Sequence, residues 1–170
     1  MTYPPLLWAS ELTGFPGAPF AEALVEAAGE RIRDACGWHI APVVSETVTV
    51  DVKGSGVVVL PTRMLVNVTE IRDVSGSAPV VLPLTGWLWQ SSGVLESKSW
   101  TRGCRRLQVD ISHGYTKCPA SLLPWAAQLT TDTTGGVVVT EQVGGVSTTY
   151  SAGAAMGHGG LSKYALPVIV

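Results

Sequence analysis

A chain of 170 residues is long enough to bury a core of its own as one domain, without disulfide or metal staples. Hydrophobic residues make up 46% of it and charged residues only 14%, so its surface is better suited to cover by partners than to open water. The net charge is -2 with no Lys/Arg block, so nothing predicts tight sequence-independent binding to nucleic-acid phosphates. No apolar run reaches the roughly 18 residues of a membrane span, and the opening "MTYPPLLWASEL" has neither a basic n-region nor a long apolar h-region, so the expectation is a soluble, unexported protein. Cys36, Cys104 and Cys118 are an odd number at unrelated spacings, which fits a reducing compartment better than a disulfide framework.

Residues 1–18 are rich in proline and glycine and read as an N-terminal arm with one small helix between about Pro5 and Thr13. Pro19 then suits a first helical position, and Phe20, Leu24, Ala28 and Ile32 follow at intervals of four, joined by Val25 and Cys36, so a core helix is expected over 19–37. Gly37 is its expected stop, since only glycine takes the left-handed conformation cheaply, and Arg31 and Arg33 suit the negative end of the dipole. Glu22, Glu26 and Glu30 form an acidic row beside the apolar stripe. Such a row is either a solvated face or a strip that meets arginines of a neighbouring copy or lines a passage that must not hold DNA.

From Val43 the period becomes two, and residues 43–115 read as a β insertion. "SETVTVDV", "GVVVLP" and "MLVNVTEIRDV" are expected to form a meander, and "RRLQVDISHGY" to close the region with another alternating strand. Trp87 and Trp89 share a face if their segment is a strand, as either core or partner anchors, with Trp100 nearby. After "TKCPASLL" a short helix resumes, with Pro124 tolerable only in its first turn. "VVVTEQVGGVSTTYS" reads as a hairpin around Gly144 and Gly145, so residues 119–151 are a helix plus hairpin. Residues 152–170 are a glycine-rich tether with an apolar tip, Leu161, Tyr164, Leu166, Pro167, Val168, Ile169 and Val170, expected to dock.

Chemistry finds little support. Cys36 and His39 could supply one metal pair, but that pair straddles the glycine stop, and zinc sites normally carry two. The plain reading makes Cys36 a small buried hydrophobe and His39 a half-exposed polar residue. No G-x-S-x-G elbow is present, and "GSG" at 54–56 and "GHGG" at 157–160 lack the strand-to-helix context of a phosphate cradle. The expectation is therefore no enzyme, no cofactor and no metal. The fold class expected is α+β, a small helical core with an inserted antiparallel β subdomain and extended, tethered termini.

The ordered set "IRDACGWHIAPVVSETVTV", "LPTRMLVNVTEIRDV", "VDISHGYTKCPASL", "EQVGGVSTTYSAG" and "LSKYALP" resembles the head-tail connector (adaptor) proteins of long-tailed bacteriophages, particularly those of actinobacterial hosts. The resemblance implies a structural virion protein of the neck, made in the bacterial host cytoplasm and assembling as a dodecameric ring beneath the portal. That ring would extend the DNA channel, with double-stranded DNA passing through without specific binding, and would join the portal protein to a stopper or tail terminator, with no membrane involved. It also implies that "LSKYALP" is a docking tail. Two other classes stay open at this point: a tail or baseplate β-type binding module using Trp87, Trp89 and Trp100, and a small cysteine or metal enzyme centred on Cys36 and His39.

Overall fold

A computed structural model describes residues 3–52, 56–97, 106–134, 141–143, 146–148 and 160–166. Its helices and antiparallel sheets make an α+β fold. The chain divides into two compact units, one of Met1–Cys36 and Cys118–Ala165, the other of Gly37–Lys117 and Leu166–Val170.

In the first unit, α1 runs over Glu22–Cys36 and buries Val25, Ala28, Ile32 and Cys36, the three-to-four spacing of one helical face. It begins after Pro19, not at it. The first carbonyl to accept an amide four residues on is that of Ala21, from Val25 at 3.2 Å, so Pro19 lies upstream of the cap. Gly37, at φ +79°, ends the helix as its sequence requires. The N-terminal segment, read from composition as an arm, has Leu6, Leu7 and Leu12 buried in this unit, with a 3-10 turn at Ala9–Leu12. Arg33 secures it. Rather than merely facing the helix dipole, the buried guanidinium donates to the Pro4 carbonyl at 2.6 Å and to Glu30 Oε1 at 2.6 Å.

The second helix, α2 (Leu123–Thr134), carries Pro124 as its second residue, where a missing N–H costs nothing because first-turn amides have no helical acceptor. Pro119 lies outside it, and its carbonyl accepts the Leu122 amide at 2.8 Å in the 3-10 turn Ala120–Leu122 that leads into the helix.

The other unit holds seven strands: β1 (Val44–Asp51), β2 (Val57–Val59), β3 (Leu65–Asp73), β4 (Val80–Leu82), β5 (Trp87–Trp89), β6 (Val94–Ser97) and β7 (Arg106–His113). They form a four-stranded sheet in the order β1-β7-β3-β4 and a three-stranded sheet in the order β2-β6-β5. The expected meander over 45–74 is not what forms. Strand β7, last in sequence, lies between β1 and β3, and β2 pairs with β6. The reason is burial: Leu107, Val109 and Ile111 make β7 the most deeply apolar strand, and only a central position covers such a face while pairing both edges. Val58, Trp87 and Leu95 of the smaller sheet join these residues in one core.

Strand β3 breaks period two. Its buried residues Leu65, Val68 and Ile71 are spaced by three, and register shifts between Leu65 and Asn67 and between Val68 and Glu70 absorb the extra residues. Each bulge returns the next apolar residue to the core face, so the three lie opposite His113, Ile111 and Val109.

In the first unit's remaining sequence, β8 (Glu141–Val143) and β9 (Val146–Thr148) pair antiparallel with Val143 opposite Val146, which makes the expected hairpin. Its two turn residues, Gly144 and Gly145, lie outside the described residues.

Replacement of Ile111 by Ala should lower stability by about 2–5 kcal/mol, against no more than about 0.5 kcal/mol for Thr49→Ala on the exposed face of β1. Chemical denaturation of the two variants checks this.

Candidate assembly surfaces

The acidic row survives folding as a row: Glu22, Glu26 and Glu30 are all exposed on α1. Two of its carboxylates already have work within the chain. Glu22 Oε2 accepts the Ala9 amide at 3.1 Å, and Glu30 pairs with Arg33.

The tryptophans separate. Trp87 and Trp89 have the same strand parity on β5, yet Trp87 is 6% exposed within the core and Trp89 is 39% exposed. Strand β5 is an edge of its sheet and Trp89 is its last residue, so the core thins beneath it. Trp100 and Cys104 lie outside the described residues. The opposite face of this sheet carries apolar residues around one glutamate. Val57, Glu96 and Leu88 align across β2, β6 and β5, with Val59 opposite Val94 beside them, and Val57, Val59 and Leu88 are exposed. Strand β4 exposes Val80 and Val81, and Trp8 points out beside the buried Leu6 and Leu7. For Val57, Val59 and Leu88, the alternation of side chains along "VVV" and "WLW" is the signal that marks them once a core face is chosen.

Two residues of the expected tail pack inside the first unit. Leu161 and Tyr164 are buried in the first unit at 4% and 5% exposure. The Tyr164 hydroxyl shares a 2.6 Å hydrogen bond with Ser121 Oγ, and the Cys36 thiol lies 4.0 Å from the Leu161 carbonyl. Leu166 belongs to the second unit, half-buried, and its side chain reaches the Gly37 backbone, where a Cβ would lie 3.6 Å from it. Pro167, Val168 and Ile169 lie outside the described residues.

Neither of the two described cysteines, Cys36 and Cys118, is poised to react. Burial raises the Cys36 thiol above its ordinary value, and burial, with Glu11 adding to it and Arg33 opposing, pushes Cys118 up to about 12. Both are thiols, not thiolates, at neutral pH. His39, expected to be half exposed, is buried and donates Nε2–H to the Pro42 carbonyl at 2.7 Å. Among the described residues no group of three His, Cys, Asp or Glu side chains is arranged to hold a metal ion, and no helix is long and apolar enough to cross a membrane.

No family model matches the sequence. No curated protein matches it either. Solved structures do. A chain in the neck of an empty gene transfer agent (GTA) particle, computed with C6 symmetry, superimposes with a TM-score of 0.60 at 13% identity, covering 97% of this chain and 92% of the other. A chain in the neck of the native particle, computed with C12 symmetry, gives a TM-score of 0.58 at 14% identity over 95% and 90%. The virion of the native particle supplies a third match, with a TM-score of 0.60 at 15% identity over 97% and 92%. The chain has the fold of a neck component.

Because Leu161 fills space inside its unit, Leu161→Ala should cost about 2–5 kcal/mol in a denaturant titration. In a Cys104→Ser chain at pH 8, a water-soluble thiol reagent should label Cys36 and Cys118 only as fast as the protein unfolds. Prompt labelling of either in the native state would contradict the burial described above.

Proposed function

We propose that the chain is a structural head-to-tail connector subunit, an adaptor that forms a ring under the portal, extends the DNA channel and joins the capsid to the stopper or tail. The observation that carries this reading is the near end-to-end match, over at least 90% of both chains, to chains from necks. The twelvefold symmetry used for one of those necks supports a dodecamer here. The ordered motifs of the sequence support an adaptor of the kind found in long-tailed phages of actinobacterial hosts.

The chemistry is compatible with such a role. An obligate ring component needs apolar contact surface and no reacting groups. Val57, Val59, Leu88, Trp89, Val80 and Val81 offer the first, and Cys36 and Cys118 are buried thiols. A net charge of -2 per copy, multiplied round a ring, gives a collar on which DNA slides rather than sticks. The acidic row, Trp89 and the segment 166–170 are the surfaces proposed to meet neighbouring copies, the portal and the next neck component, without a cofactor and with the virion neck as the site of action.

Particles assembled without this chain should accumulate as heads that carry no tails, and supplying the chain in trans should restore tailed particles. Tailed, infectious particles in its absence would overturn the reading. Glu26→Lys, at an exposed position of α1, should change the melting temperature by little and reduce incorporation into particles; full incorporation would return the row to a solvated face.

A further inference from the structure

Between the stop of α1 and the start of β1 the chain makes a corner with unusual chemistry. Trp38, His39, Ile40 and Ala41 are all buried, and Ile40 holds φ +66°, a region that costs a β-branched residue strain. The corner closes onto the end of β7. Its Ile40 carbonyl accepts the Tyr115 amide at 2.8 Å, and Gly114, at φ +110°, leaves space that a Cβ would fill at 2.6 Å from His39 Nε2.

Two imidazoles meet here. The rings of His39 and His113 stand edge to face with centroids 4.4 Å apart, and Trp38 stacks over His113 at 6.4 Å. His113 is 1% exposed, and its Nε2 lies 2.8 Å from Glu46 Oε1 on β1. A carboxylate only accepts, so His113 carries its proton on Nε2. The remaining nitrogen, Nδ1, is buried with no hydrogen-bond partner among the described residues. His39 likewise donates Nε2–H to the Pro42 carbonyl.

We propose that Glu46, His113 and His39 form an acid-released clasp, which holds the 38–42 corner on the ends of β1 and β7 at neutral pH and lets it go when a second proton enters His113. The added proton would sit on Nδ1, as a charged N–H with no acceptor and an imidazole 4.4 Å away. The groups facing His113 are Glu46 from β1, His39 from the corner and, through Trp38 at 6.2 Å, Tyr115; the residue opposite it on β3 is the uncharged Leu65. Only Glu46 favours the cation. Burial outweighs it and holds the His113 imidazole below its ordinary value.

The sign follows. A histidine whose folded pKa lies below its unfolded one binds more protons when unfolded, so stability is full above about 6.5 and falls as pH drops from there through the folded pKa. The test follows the full chain by imidazole NMR and by amide exchange between pH 8 and 5, corrected for the intrinsic pH dependence of exchange. His113 should be the Nε2–H tautomer at pH 8 and titrate below 6.5. Exchange at 38–41 and 113–115 should rise by up to about tenfold per pH unit in that window, while α1 and α2 stay unchanged. His113→Gln, which still donates to Glu46 but cannot titrate, should abolish the rise. The proposal is overturned by a His113 midpoint at or above 6.5, by a corner that stays protected to pH 5, or by a rise that persists in His113→Gln.

Discussion

The fold depends on one strand finding two distant partners. Strand β7 places Leu107, Val109, Ile111 and His113 on a single buried face and hydrogen-bonds to β1 on one side and β3 on the other. Loop closure makes such pairing costly at the start, but the cost grows only by about 0.6 kcal/mol for each doubling of the loop. The burial of four successive inward side chains offsets it. Until β7 arrives, β1 and β3 are two edges with nothing between them, so the strands that precede it cannot complete the four-stranded sheet alone.

The same pairing brings together the two ends of the β unit, whose sequence interrupts that of the helical one. Val44, the first residue of β1, lies opposite His113, the last of β7, so entry and exit of the β unit are adjacent. A unit whose ends meet can be inserted between two helices without stretching the chain that carries it. The buried corner reinforces this closure by accepting the Tyr115 amide at the Ile40 carbonyl, and the Gly114 amide on the Met64 carbonyl ties the end of β7 to the start of β3. Bulges in β3 serve the same end: without them Leu65, Val68 and Ile71 could not all lie opposite the inward residues of β7.

Local physics was legible in the sequence and long-range physics was not. The period of α1, its end at Gly37, the alternation of β1 and β7 and the first-turn place of Pro124 depend on neighbouring residues alone, and composition carries them. The sheet order depends on which apolar strand is most deeply covered, which no single segment states. Leu65, Val68 and Ile71 carry a spacing of three that looks like noise in a strand until the bulges are known. His39 looked half exposed because imidazole is at home on a surface; Gly114, seventy-five positions later, is what makes room for it inside. Arg33 looked like a charge for the helix end and turned out to be a buried donor to Pro4. Of the surfaces suggested from sequence, Glu22, Glu26, Glu30 and Trp89 are exposed, whereas Trp87, Leu161 and Tyr164 are inside their own units. An aromatic or aliphatic residue reads the same in a core as in an interface, so only coordinates separate them.

Charge placement bears on the same question from the other side. Arg33, Arg72 and Arg106 each face a carboxylate of their own chain: Glu30 for the first, Glu70 and Asp110 for the second, Asp51 for the third. Arg72 lies on the outward face of the larger sheet, where it also reaches Gln108 and shares Asp110 with Thr47. A guanidinium already engaged by a carboxylate has less to gain from a phosphate, because the new contact must replace an old one. These three arginines thus hold strands and termini together, while Glu26 among the described carboxylates faces outward. Under the proposed function, outward carboxylates of this kind would suit a wall along which DNA moves without being held.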